Sequence, residues 1–208
     1  LILGVGVVLG REFLDSTVKT QEDIEDRLKV PFLGLFPLVG EQDANLSAKS
    51  RDLFVFENPN SPAAECVRAI RTNLLFATPD DPFKTLVVTS SGPEEGKSTI
   101  SISLAVAMAQ SGSRVLLVDT DMRRPRLHKA LGVPNNVGVS SLIVGEGTFD
   151  AAIKSTEVPN LFILPCGPVP PNPAELLHAQ GFQRLLEQLS EKYDRVIFDS
   201  PPVNAVAD

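Results

Sequence analysis

Four short runs of the chain are apolar at every position: Leu86–Val88, Val115–Val118, Leu161–Leu164 and Val196–Phe198. Continuous rather than alternating hydrophobicity is the mark of strands buried on both faces of a parallel sheet. The stretches between them carry helical periodicity. Ser61-Pro62 opens a helix reaching about Ala77, with Val67, Ile70 and Leu74 on its buried face. A helix rich in alanine and serine, suited to close packing on a sheet, follows over 98–111. Shorter helices are expected after Arg124-Pro125 and from Gly138 to Gly145. Asn172-Pro173-Ala-Glu175 is a helix start, with Pro at the first helical position, and Phe182, Leu185, Leu186 and Leu189 give that helix its apolar face. The alternation predicts an α/β fold, a doubly wound and mostly parallel sheet.

Upstream of these elements the pattern changes. Thr20 is placed to cap a helix running to about Lys29, with Asp23 at the capping-box position and Ile24 and Leu28 on its apolar side. The segment Pro31–Pro37 reads as a short strand bounded by prolines. From about Val39 to Asn60 the sequence is polar without a clear period, as in a linker. The first ten residues are uncharged. As a helix they would extend about 15 Å, half of the ~30 Å hydrocarbon layer, so they are expected to be the inner half of a transmembrane helix. The expected organisation is therefore a membrane-helix remnant over 1–16, a juxtamembrane helix, strand and linker over 17–60, and a globular domain over 61–208 that is interrupted at its C-terminus.

Charge narrows the partners. A net charge of −7 and a pI near 4.9 argue against nucleic acid. Cys66 and Cys166 have no metal-ligand spacing and are expected to be reduced and semi-buried in the cytosol. His128 and His178 are expected at the surface. Glu65, Arg68 and Arg71 step by three along their helix and form a slanted charged stripe, for which a solvated face is the ordinary reading.

The chemistry concentrates after the first strand. Ser91-Gly-Pro-Glu-Glu-Gly-Lys-Ser-Thr99 lies between strand and helix. It approaches the phosphate-loop form G-x-x-x-x-G-K-[ST], with Ser91 at position one. Such a loop aims backbone N–H groups and a helix N-terminus at one anion. Lys97 supplies a point charge for the β- and γ-phosphates, and the Ser98 hydroxyl can bind Mg²⁺. Two more strands end in carboxylates, in Asp119-Thr-Asp121-Met-Arg123 and in Asp199-Ser-Pro-Pro202. The carboxyl edge of a parallel sheet is where ligands bind. Lys97, Asp119, Asp121 and Asp199 are thus expected around one site for Mg²⁺–ATP.

These segments, in this order, resemble the cytoplasmic end of bacterial tyrosine autokinases of the capsule and exopolysaccharide type, polysaccharide co-polymerases (chain-length determinants) fused to a kinase. The likeness runs through Arg11–Asp15, Lys19–Asp23, Phe32–Pro37, Glu65-x-x-Arg68-x-x-Arg71, the phosphate loop, Asp119–Pro125, Leu164–Leu176 and Tyr193–Pro202. It implies ATP-dependent phosphoryl transfer to tyrosines of neighbouring subunits on the cytoplasmic side of the plasma membrane, in service of polysaccharide polymerisation and export. By the same resemblance Gly92, Pro93, Glu94, Glu95, Gly96, Lys97, Ser98, Thr99 and Arg123 contact ATP or ADP. Ser98, Asp121 and Asp199 belong to the Mg²⁺ site, Asp199 through water. Lys97, Asp119 and Asp121 serve catalysis; one of the two aspartates assists the tyrosine hydroxyl and the other holds metal. Glu65, Arg68 and Arg71 make ring contacts between subunits. Many members of that family have glycine where this chain has Glu94. Their acceptor tyrosines form a cluster expected downstream, and the one tyrosine here, Tyr193, is expected to pack at a helix–strand junction. The alternatives are a partitioning or septum-positioning ATPase of the ParA/MinD group and a non-catalytic co-polymerase that binds nucleotide as a structural signal.

Overall fold

The computed structural model describes residues 20–37, 51–77 and 83–205. The proposed membrane-helix remnant over 1–16 lies outside them. Among the described residues no helix is long and apolar enough to cross a membrane.

Two compact units divide at Gly34 and Leu35. In the first, α1 (Gln21–Asp23) starts as the sequence requires. The Thr20 hydroxyl accepts the Asp23 N–H at 3.2 Å, and the Asp23 carboxylate takes the Thr20 N–H at 3.1 Å. The helix continues in a wider π winding over Ile24–Leu28 and ends on Lys29 in the left-handed region. Residues 31–37 form no strand. Pro31 and Pro37 offer no backbone N–H to a ladder, and no strand pairs with the five residues between them among those described.

The second unit carries the α/β fold. Its elements are α2 (Phe54–Glu57), α3 (Pro62–Ala77), β1 (Thr85–Val88), α4 (Lys97–Gln110), β2 (Val115–Asp119), α5 (Leu127–Ala130), α6 (Val139–Ile143), α7 (Phe149–Ala152), β3 (Lys154–Ser155), β4 (Leu161–Leu164), α8 (Pro173–His178), α9 (Gln180–Lys192) and β5 (Arg195–Asp199). The strand order is β1-β5-β2-β4-β3, parallel except for the two-residue edge strand β3. The register aligns Asp119 with Asp199 and Val88 with Asp199, so the phosphate loop and both carboxylate-bearing ends leave the same edge of the sheet.

Both faces of the central strands are covered, whereas the edge strand β1, expected to be buried on both faces, leaves Val87 63% exposed. Leu116, Val118, Val196 and Phe198 join Val139, Leu185 and Leu189 in one cluster beneath α6 and α9. Side chains alternate along a strand, which turns Val115, Leu117 and Ile197 to the opposite face, toward α4. That helix is buried from Ser101 to Ala109, between the sheet and the outer helices α2 and α3. Its run of small residues is what permits this sandwiching.

Three further expectations need correction. The polar stretch to Asn60 is not all linker, because Leu53 and Val55 are buried and α2 packs on α4. The helix expected from Pro173 onward is two helices, broken at Ala179 with ψ 149°. The turn lets α9 approach α6 so closely that a Cβ on Gly181 would sit 2.4 Å from the Ile143 carbonyl oxygen. Finally, His178 is exposed as expected, but His128 is half-buried, with Nδ1 enclosed and unpartnered.

Tyr193 does pack at the helix–strand junction. It is 6% exposed, its ring lies 5.6 Å from that of Phe162, and the Arg114 guanidinium lies over it at 5.0 Å. Burial raises the phenol above its ordinary pKa, against the opposing charge of Arg114. An acceptor oxygen must come within a few ångströms of the γ-phosphorus. Tyr193 is therefore expected to remain unmodified after incubation with Mg²⁺–ATP. Stoichiometric phosphate on Tyr193 by mass spectrometry would overturn this placement.

Candidate functional site

The loop after β1 is closed by its own side chains. The Ser91 N–H and hydroxyl donate to the Glu95 carboxylate at 3.0 and 2.7 Å, and the Ser90 hydroxyl donates to the Gly92 carbonyl at 2.8 Å. The Ser91 hydroxyl, then the Gly92 and Ser91 N–H groups, hold Glu95 below the usual carboxylate range. Gly96 enters α4 in the left-handed region at φ 82°. Glu94 also has a positive φ, 65°, a conformation that favours glycine and costs other residues on the order of 1 kcal/mol. The N–H groups of Lys97, Ser98 and Thr99 lie in the first turn of α4, where a helix has no carbonyl of its own to offer them.

Lys97 and Asp199 stand 102 residues apart in sequence and meet at the sheet edge. The ammonium donates to Asp199 Oδ1 at 2.9 Å and lies 3.6 Å from Asp121 Oδ2. The Ser98 hydroxyl donates to Asp199 Oδ2 at 2.6 Å, and Ser101 donates to Oδ1 at 3.2 Å. These partners and the neighbouring strand hold Asp199 firmly, since its carbonyl also accepts the Thr120 N–H and hydroxyl, each at 2.9 Å.

The two aspartates after β2 differ. Asp121 lines the cleft, and its Oδ1 accepts the Arg124 N–H at 3.0 Å. Asp119 lies deeper and fully buried. Its Oδ2 accepts the N–H groups of Arg126 and Leu127 at 3.1 and 3.0 Å, while Oδ1 has no partner. Burial, then the charge of Asp199, push the Asp119 carboxyl up to about 7; the two backbone N–H groups oppose this and Asp121 adds to it. Cys166, buried nearby, is pushed up to about 12 by burial and by the charges of Asp119 and Asp121.

The cleft encloses about 520 Å³. Its lining includes Pro93, Glu94, Gly96, Lys97, Ser98 and Thr99 from the loop and helix. Gly92 and Glu95, expected to contact nucleotide, do not line it; they hold the loop through their bonds with Ser90 and Ser91. Arg123 does not line the cleft; Arg124 and Arg126 do, together with Arg51. Arg126 donates to both oxygens of the buried Asp52 at 2.9 and 2.8 Å, and Thr99 donates to the same carboxylate at 3.0 Å. Sequence reasoning missed Arg51, Asp52, Arg124 and Arg126. The available signal was Leu53-Phe-Val-Phe56, an apolar run inside the polar stretch.

Residues 86–207 match the AAA domain family. The tyrosine-protein kinase YwqD of Bacillus subtilis is 41% identical over 162 residues, 78% of this chain and 68% of that protein. The chain belongs to this family of bacterial tyrosine-protein kinases. A longer member, the tyrosine-protein kinase Ptk of Acinetobacter johnsonii, is 38% identical over 99% of this chain, which spans 29% of that protein. The kinase domain of the Escherichia coli tyrosine kinase Etk superposes with a TM-score of 0.83 at 32% identity, covering 92% of this chain and 76% of that domain. The kinase therefore has the P-loop NTPase architecture expected from its strands, and family membership sets the tyrosine-kinase reading ahead of the partitioning ATPase.

Proposed function

We propose that the cleft binds Mg²⁺–ATP and transfers its γ-phosphoryl group to tyrosine hydroxyls presented by neighbouring subunits. The observation that carries this reading is the convergence of Lys97 with Asp199 and Asp121 at the mouth of the phosphate loop. The loop N–H groups and Lys97 bind and orient the triphosphate. Asp121 lines the cleft and Asp119 lies buried, and the two divide the roles of taking the acceptor proton and holding metal.

Ser98, Asp121 and Asp199 form a set of hard oxygen donors that fits Mg²⁺, which takes one or two carboxylates alongside phosphate oxygens and water. When bound, the ion would screen the triphosphate's charge.

Replacing Asp199 by asparagine tests the assignment. The variant is expected to stay folded and to lose Mg²⁺-dependent transfer by roughly 10- to 100-fold. Wild-type Mg²⁺ dependence in a folded Asp199→Asn protein would remove this carboxylate from the site.

The wider setting rests on likeness to the relatives. We propose that residues 1–16 are the inner end of a membrane helix, that the kinase faces the cytoplasm, and that it regulates capsule or exopolysaccharide polymerisation and export. The charged stripe on α3 is proposed to contribute to a ring of subunits. Within the chain, Arg68 already bonds Glu65 at 2.6 Å and the Pro59 carbonyl at 2.9 Å, and Arg71 donates to the Ala107 carbonyl at 3.0 Å. Glu65, with its side chain 70% exposed, is the member best placed to face a neighbour.

A further inference from the structure

We infer that Arg126 is an additional phosphate-binding residue of this kinase and that the buried Asp52 is its positioning residue. The inference rests on the reading of the cleft as a nucleotide site.

The geometry has three parts. First, Asp52 is 2% exposed, and a carboxylate so placed requires partners. It finds them in one direction only, toward the cleft: both oxygens bond Arg126, and Oδ1 also takes the Thr99 hydroxyl. Second, Thr99 belongs to the first turn of α4, whose N–H groups converge with Lys97 on the anion position. Sharing Oδ1 between Thr99 and Arg126 ties the guanidinium to that turn. Third, the Arg126 side chain is 46% exposed and lines the cleft. Only Nη2 is engaged with Asp52, so the rest of the planar donor fork is available to a phosphate oxygen. A guanidinium held by one nitrogen on a buried carboxylate at the border of the cleft is pre-oriented, which lowers the entropic cost of each contact it makes to ligand.

The opposite reading makes Asp52–Arg126 a staple that only fastens α2 to α5. The two differ in what they require of nucleotide affinity. A staple affects melting and leaves the affinity of folded protein unchanged. A phosphate ligand affects affinity even where melting is preserved.

The experiment uses the complete protein and titrates ATP and ADP in the presence of Mg²⁺, with steady-state phosphorylation and thermal melting measured alongside. Arg126→Gln is expected to weaken nucleotide binding about tenfold, raising KM more than it lowers kcat, and to lower the melting temperature because the buried Asp52 loses its cationic partner, so affinity is read well below that temperature. Arg126→Lys should recover only part of this loss, because an ammonium cannot span a carboxylate and a phosphate as a fork does. Asp52→Asn should weaken binding in the same direction. The double variant should bind no worse than Arg126→Gln, since both changes remove one arrangement. Unchanged affinity in a folded Arg126→Gln protein, or strictly additive losses in the double variant, would overturn the proposal. Lys97→Met, measured in parallel, separates the two levels. If it loses binding while Arg126→Gln does not, the inference about Arg126 fails and the nucleotide site stands. If neither variant loses binding, the site assignment itself fails.

Discussion

Lys97→Met is expected to reduce tyrosine phosphorylation by on the order of 10²- to 10³-fold, the cost typical of removing one preorganised donor from developing charge. Methionine keeps most of the stem's bulk and removes the charge. Two effects then act together. The triphosphate loses its one cationic contact from the loop, and Asp199 and Asp121 lose the ammonium that lies 2.9 and 3.6 Å from them. Breaking a buried ion pair by deleting one partner costs about 3–5 kcal/mol. Side-chain exposure of 9% for Lys97 and 1% for Asp199 places this pair near that regime. The variant should therefore be checked by melting before its activity is read. A folded Lys97→Met protein that phosphorylates at the wild-type rate, by mass spectrometry of phosphotyrosine, would sink the assignment of the loop.

Asp119→Asn is expected to raise the stability of the protein at pH 8, measured without Mg²⁺, and to leave it nearly unchanged at pH 4. The sign follows from linkage. The unfolded carboxyl has its ordinary value of 3.8 and the folded one is raised to about 7. Between those values the folded state binds a proton that the unfolded state has released, so stability falls as pH rises through this window. Below it no penalty exists; above it the full cost of a buried, poorly compensated carboxylate is present. That cost amounts to at most about 4 kcal/mol. Asparagine removes the charge and retains a carbonyl oxygen for the N–H groups of Arg126 and Leu127. A variant no more stable than the wild type at pH 8 would refute the origin assigned to the raised value.

The central strands β2, β4 and β5 were readable from sequence because their runs are short, apolar and buried, whereas the two-residue edge strand β3, Lys154–Ser155, carries no such run and β1 leaves Val87 63% exposed. The convergence of Lys97, Asp121 and Asp199 was readable for a related reason: a strand-end carboxylate or a loop lysine in a parallel sheet has only one edge to occupy. The rest depended on tertiary contacts that no local pattern encodes. The break at Ala179 follows from the approach of Gly181 to Ile143, which belongs to another helix. Asp52 and Arg126 find each other across 74 residues. Arg123 and Arg124 are adjacent and chemically alike, so only the path of the backbone after Asp121 decides which of them borders the cleft. Asp119 and Asp121 differ only through the fold, in which the Arg126 and Leu127 N–H groups donate to Asp119 and the Arg124 N–H donates to Asp121.

The position of β5 bears on how this protein is made. It is the last strand in sequence among those described, yet it lies between β1 and β2. On a ribosome, β1 and β2 emerge long before the strand that will join them. During that interval both present unpaired backbone, the condition in which nascent chains are open to mispairing and to capture by chaperones. Insertion of β5 seals both edges at once and delivers Asp199 to Lys97 and Ser98 in the same event. Nucleotide capture is thereby tied to completion of the sheet, and a polypeptide stalled before this strand would carry a phosphate loop without its opposing carboxylate.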